Sequence, residues 1–201
     1  KIASFDDVNV FITQDSFFSV KAEGGENLLK YVTTEVINGE LQLRSENTMK
    51  WVHNYKKSNI TIHVTMPVIN SILNYGVGEV KSANIISSNY LIVETHSAGN
   101  IVLGLNCGTV WGHMKSSGDV ILNGTVSNNV WYCIGYGILD CKNLVSGYCW
   151  TYASSTGDAY VNVTGLLKGH VKNIGNLYYR GNPNTIEVNT YGKGNVNALA
   201  Q

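Results

Sequence analysis

Charge is scarce in this 201-residue chain, and so are proline, cysteine and long apolar runs. Asp, Glu, Lys and Arg together make up 14% of the residues, against roughly 25% in ordinary soluble domains. The 14 basic and 14 acidic side chains cancel, which leaves no net field to recruit nucleic acid or an anionic membrane surface. No apolar run approaches the roughly 18 residues that a membrane-spanning helix needs. Four cysteines are too few for a disulfide-dense miniprotein. Only Pro67 and Pro183 interrupt the backbone as prolines. The composition also excludes a disordered tail and a coiled coil. What is plentiful is glycine (21) and asparagine (24). The length suffices for one large domain or two small ones with a sizeable core. The first residue is Lys1 rather than Met, the expectation for an exported chain whose leader has been removed.

Two regions differ in texture. Only Gly24, Gly25 and Gly39 precede residue 75, and the first 70 residues hold 15 of the 28 charged side chains. The change falls near Pro67 to Asn74, with no flexible linker at the join. Residues 1–70 read as an N-terminal antiparallel β module and 71–201 as a β-helical repeat region, the two packed as one continuous unit. In the first region apolar and polar residues alternate with period two in four runs: Val8–Ile12, Phe18–Ala22, Leu41–Leu43 and Ile60–Val64, the signature of strands. Asn38-Gly39 marks a tight turn. Glu26–Val32 is the one stretch fit for a short helix, and Trp51 and Tyr55 suggest a hairpin excursion.

From residue 75 onward a short phrase recurs. Its anchoring glycines are Gly78, Gly99, Gly118, Gly137, Gly157, Gly175 and Gly194, spaced by 21, 19, 19, 20, 18 and 19 residues. Two residues after each stands Val80, Ile101, Val120, Leu139, Ala159, Leu177 or Val196. Two further on stands Ser82, Leu103, Leu122, Cys141, Val161, Tyr179 or Ala198. These columns alternate with polar ones, as a strand with one buried face requires. A second strand precedes each glycine, as in Leu91–Glu94 and Ile186–Val188, after a corner such as Asn123-Gly124 or Gly181-Asn182. Glycine held at one position implies either a positive φ or a backbone too crowded for a Cβ. About 19 residues complete one coil of a parallel β-helix, each coil rising roughly 4.8 Å. The fold class is therefore all-β: a parallel solenoid of about seven coils, preceded by the antiparallel module. A right-handed coil is preferred, because left-handed hexapeptides, leucine-rich phrases and calcium-binding nonapeptides are all absent.

With its opening Phe5-Asp6-Asp7-Val8-Asn9-Val10, its Glu26-Asn27-Leu28-Leu29 and Gly39-Glu40-Leu41 phrases and its serial Gly-x-Gly and Ser-x-Gly rungs, the chain resembles a bacterial family described as putative auto-transporter adhesin, head GIN domain. The resemblance spans nearly the whole chain; it departs from the usual small-residue phrase at Gly135-Tyr136-Gly137 and Asn173-Ile174-Gly175. It implies an exported protein of the periplasm, outer membrane or cell surface, with an adhesive or structural role. It carries over no catalytic residues.

Aligning the coils puts Trp111, Trp131 and Trp150 in one column, followed by Lys168 and Glu187. Unpaired charge rarely faces a packed interior, so the column is expected to face outward. A neighbouring outward column carries Glu94, His113, Tyr152 and His170. Trp111, Trp131, Trp150, His113 and Tyr152 are accordingly the candidate binding residues, a flat platform for sugar rings or a partner protein. The competing account is that the tryptophans merely cover one another, or pack under the N-terminal module or a subunit contact.

Other chemistry is weaker. Asp119 and Asp158, each just after an anchoring glycine, stand two coils apart, near ~10 Å, at the margin of the carboxyl spacing for glycoside hydrolysis. The same positions suit Asn and Asp as turn caps. Cys107, Cys133, Cys141 and Cys149 lack metal spacing and read as isolated buried thiols. The histidines are scattered, so no metal or cofactor is implied. The expectation is an exported, non-catalytic surface module that binds glycan or an envelope or host surface protein, with self-association through an end coil also open. The alternative is a lyase-like or hydrolase-like enzyme on the same scaffold.

Overall fold

The structure, a computed structural model, describes residues 1–46 and 60–200. Trp51 and Tyr55 lie outside the described residues. In chain order the elements are β1 (Ile2–Ser4), β2 (Asn9–Gln14), β3 (Ser19–Glu23), the single helical turn α1 (Glu26–Leu29), β4 (Val32–Ile37), β5 (Glu40–Ser45), β6 (Thr61–Met66) and β7 (Ser71–Asn74). Then come β8 (Val80–Thr95), β9 (Ile101–Met114), β10 (Val120–Cys133), β11 (Leu139–Ala153), β12 (Ala159–Val171), β13 (Leu177–Arg180), β14 (Thr185–Thr190) and β15 (Val196–Ala198). Among the described residues no helix is long and apolar enough to cross a membrane.

From β7 onward every pairing is parallel, and the chain winds as a β-solenoid of about seven turns. Strands β8 to β12 are long because each runs along one wall, bends at a corner and continues along a second. The bend is visible in the last lap: β12 pairs through Ala159–Asn162 with β13 and through Leu166–Val171 with β14. Those two strands are separated at the corner by Gly181 and Asn182, with φ of 96° and 54°. Gly124 turns the corner of β10 with φ of 113°. The side chains that alternate inward along both walls form one continuous apolar core. Val80, Ile101, Val120, Leu139, Ala159 and Leu177 stack there as a buried column, as their spacing predicts.

The anchoring glycines stand in file, and crowding is the reason. A Cβ on Gly99, Gly118, Gly137, Gly157, Gly175 or Gly194 would collide with the carbonyl oxygen of the preceding glycine in the file. At Gly78 the obstructing carbonyl belongs to Val8. None of the seven has a positive φ. Glycine therefore recurs because successive turns cross at contact distance, and the conformational alternative is set aside.

The N-terminal region contains the expected small antiparallel module at β4–β5, and parallel laps beside it. β1 pairs in parallel with β7 and β5, while β2 pairs in parallel with β8 and β6. The first 70 residues thus supply laps of the same solenoid, and strand pairing runs straight through the change of composition. Among the described residues, antiparallel pairing is made by two strands that close the N-terminal end. β3 pairs with β6, one wall's terminus, and β4 folds back on β5, the other's. The β4–β5 turn is the expected Asn38-Gly39, with φ of 51° and 76°. Period-two alternation reports a half-buried strand but carries no information about the direction of its neighbour.

Candidate functional site

The second wall presents a band of rings. Register places Ile92, Trp111, Val130, Trp150, Lys168 and Glu187 in one outward column. Glu94, His113, Tyr132, Tyr152, His170 and Asn189 form the next. The rings contact one another across the laps. Trp111 lies 5.8 Å from Tyr132, Tyr132 lies 4.9 Å from Trp150, and Tyr152 lies 6.2 Å from His170 between centroids. His113 touches both Trp111 and Tyr132, at 6.1 and 6.0 Å. Offset and edge-on contacts at these distances are the favoured aromatic geometries. Lys172 caps the band, its Nζ 4.9 Å above the Tyr152 ring and 5.7 Å from that of Tyr191.

Trp131 is not part of this wall. It pairs in register with Gly112 and Thr151, points into the core, and is 0% exposed. The neighbouring lap makes room for it: a Cβ on Gly112 would enter the Trp131 ring. Its indole Nε1 donates a 2.7 Å hydrogen bond to Oδ1 of the equally buried Asn129, the partner that a buried indole requires. Val130 takes the outward place instead. The sequence contained the signal, since Trp111 and Trp150 stand seven residues before their glycines while Trp131 stands six before Gly137. Counting back from the glycine also brings Tyr132 into the band, a member missed when tryptophan was aligned on tryptophan.

The imidazoles are shielded by their neighbours. Burial, and after it the nearby Lys115, holds His113 below its ordinary value. Neither His113 Nε2 nor His170 Nδ1 has a hydrogen-bond partner among the described residues. At the band's other end Glu94 accepts from or faces His96 at 2.7 Å, with Lys115 at 4.0 Å. A second run of rings, Phe5 stacked on Tyr75 at 5.0 Å and Tyr75 tilted against His96 at 4.4 Å, continues toward the N-terminal end.

Asp119 and Asp158 serve the stack itself. Oδ1 of Asn100 accepts the backbone N–H of Asp119 at 2.9 Å, and Oδ1 of Asp119 accepts that of Ile138 at 2.7 Å. Asp158 accepts from both the backbone and side-chain nitrogens of Asn176, at 2.8 and 3.0 Å, and Asn176 accepts from Asn195 at 3.0 Å. Each side chain caps the corresponding residue of the next lap, where a local turn cap was expected. The ladder is interrupted at Ile138. All four cysteines are free and buried; burial pushes Cys133 and Cys149 up to about 12. No three His, Cys, Asp or Glu side chains cluster as metal ligands among the described residues.

A parallel solenoid that turns rings outward along one wall and engages Asp119 and Asp158 in its stacking ladder is a β-solenoid with an aromatic surface band. The family follows from comparison with known proteins: the model described as putative auto-transporter adhesin, head GIN domain, matches residues 1–183, and the chain belongs to that family. It is thereby an adhesin-like surface domain. A solved putative adhesin from Bacteroides fragilis is 23% identical, with a TM-score of 0.91 over 98% of this chain and 91% of that one. One from Parabacteroides merdae is 15% identical, with a TM-score of 0.72 over 99% and 91%. A Parabacteroides distasonis structure described as a putative lipid binding protein is 18% identical, with a TM-score of 0.73 over 99% and 92%. No curated protein matches the chain.

Proposed function

We propose that this domain is an exported, non-catalytic binding module that grips a glycan chain with the aromatic band of its second wall. The observation that carries the reading is the unbroken series of ring contacts from Trp111 through Tyr132, Trp150 and Tyr152 to His170. Sugar rings present apolar C–H faces that pack on such rings, while hydroxyls reach the polar groups beside them. Lys172, Lys168 and Glu187 border the band and would orient the chain. The engagement of Asp119 and Asp158 in the ladder supports a non-catalytic role over a hydrolase. Family membership supports display on the outer surface of the cell. The test is a glycan and envelope-component binding screen of the purified domain beside a Tyr132→Ala/Trp150→Ala/Tyr152→Ala variant. Loss of binding with an unchanged far-UV spectrum is expected; undiminished binding by the folded variant refutes the reading.

A second reading has one observation behind it. At the N-terminal end an apolar cleft of about 320 Å³ opens among Phe18, Val20, Val36, Leu41, Val64 and Met66. It suits an acyl chain, and a structural neighbour is described as a putative lipid binding protein. Titration with a fluorescent fatty acid decides it: saturable binding abolished by Val64→Trp supports this reading, and no saturable binding removes it.

A further inference from the structure

On the corner where the two walls meet, a groove of about 840 Å³ runs across three laps, away from the aromatic band. Its volume lies within the range of small-molecule sites. Among the described residues no charged side chain lines it; amides and hydroxyls from Asn70, Asn89, Asn106 and Ser127 do, beside the half-exposed ring of Tyr90.

The groove is held open by its own construction. Gly108 forms part of the floor, where a Cβ would meet the Asn89 carbonyl oxygen at 2.5 Å. No side chain can therefore fill the floor at that lap. The rim is pinned by Gln14, whose Nε2 donates to the carbonyls of Pro67 and Ser87 at 3.0 Å each and whose Oε1 accepts the Ser87 N–H at 2.6 Å. Oδ1 of Asn70 accepts from Ser88 Oγ at 3.3 Å. The segment around Pro67 is thus stitched to β8, and little ordering is left for a ligand to impose. By contrast, the exposed side chains of Asn89, Asn106 and Ser127 make no hydrogen bond to the described residues. Their donors and acceptors face the groove uncommitted.

We infer that this corner groove is a carbohydrate site separate from the aromatic band, and that it takes an uncharged glycan segment. An amide offers a donor pair and an acceptor together, the complement of a sugar hydroxyl, which is both. Tyr90 offers a ring face to the apolar side of the sugar. The described lining, Gln14, Asn70, Asn89, Asn106 and Ser127 among it, offers an anionic or cationic ligand no counter-ion to offset its desolvation.

Isothermal titration with four neutral hexasaccharides (β-glucan, α-glucan, mannan and N-acetylated chitin types) and with a polygalacturonate hexamer tests this on the whole chain. At least one neutral hexamer should bind saturably. Asn89→Ala/Asn106→Ala should weaken it about tenfold, each lost hydrogen bond being worth a few-fold. Ser127→Trp, at an exposed position, should abolish binding, and Trp150→Ala should leave this site unchanged. The charged hexamer should not compete. The assignment is overturned if no neutral hexamer binds up to about 10 mM, if binding survives Ser127→Trp, or if the charged hexamer binds equally well. Binding that follows Trp150→Ala alone overturns it too, and leaves the aromatic band standing. Binding that is lost in Ser127→Trp and kept in Trp150→Ala upholds the groove.

Discussion

Gly157 and Gly147 are seen by the same chain ten residues apart and should respond oppositely to a methyl group. At Gly157 the new Cβ would strike the backbone carbonyl of Gly137, which cannot swing away; at Gly147 the nearest atom, the Ser127 carbonyl oxygen, is 3.4 Å off. Gly157→Ala should therefore cost about 3 kcal/mol. Gly147→Ala should be neutral or stabilise by up to about 1 kcal/mol, since alanine loses less backbone freedom on folding. Urea denaturation of the two variants reads the contrast, and equal midpoints would contradict a file of crossing backbones. The tryptophans divide in the same way. Trp131→Ala empties a fully enclosed site and should cost about 3–5 kcal/mol. Trp150→Ala removes a half-buried ring in contact with Tyr132, Tyr152 and His170, for about 1–2 kcal/mol. His113 adds a dependence on pH. Burial, then Lys115, lowers its affinity for a proton in the folded chain, while Glu94 opposes the shift and His96 adds to it. A depressed imidazole leaves stability whole above about pH 6.5 and withdraws it as pH falls through the folded value. The advantage of the native chain over His113→Gln in thermal melts should accordingly be greatest near pH 7.5 and shrink by pH 5. A constant gap would mean that the ring titrates as it does in a free peptide.

Among elements, the ladder of Asn and Asp side chains offers the clearest test, because Ile138 interrupts it. Asn100 and Asp119 cap the lap above them, yet Ile138 has no oxygen to offer the backbone N–H of Asp158. Ile138 is 41% exposed, so its removal empties no core. Ile138→Asn should complete the series and stabilise the chain by about 0.5–1 kcal/mol. Aspartate there would sit between Asp119 and Asp158 and lose that gain to repulsion. A denaturation midpoint unmoved by asparagine would show that the ladder adds nothing. The column of these residues was legible in the sequence, since each follows its glycine; their partners were not, because a local turn cap and a cap on the next lap use the same side chains. The inward column at Ile101 and Val120 was legible for the same reason of fixed spacing. Trp131 was misplaced because a one-residue slip reverses the face of every strand residue, and tryptophan was matched to tryptophan instead of to Gly137. The corner groove left no trace at all. It joins Gln14, the Pro67 segment and three later laps, a juxtaposition that no periodicity encodes.

For the whole molecule the question is whether the texture change near residue 70 marks a unit that folds alone. The pairings argue otherwise. Strand β7 loses its neighbour β1 and strand β8 loses β2 if the chain is cut there. The core that covers Ile72, Val80 and Ile86 also contains Val8, Val10, Ile12, Leu43 and Ile62. A stacked array is stabilised by its nearest-neighbour interfaces, and an exposed end lap needs a cap. In the intact chain β3 and β4 provide that cap by turning antiparallel at the ends of the two walls. A fragment of residues 71–201 would begin on unpaired parallel edges over bare aliphatic side chains, the arrangement that invites aggregation. We therefore expect the fragment to be unfolded or aggregated. The intact chain should unfold in urea as one transition, with tryptophan fluorescence and far-UV circular dichroism coincident. A soluble fragment that melts cooperatively near the midpoint of the intact chain would restore a boundary at residue 70. It would also reduce the N-terminal laps from a structural cap to an appendage, and the aromatic band, which lies wholly within β9 to β12, would then be free to act without them.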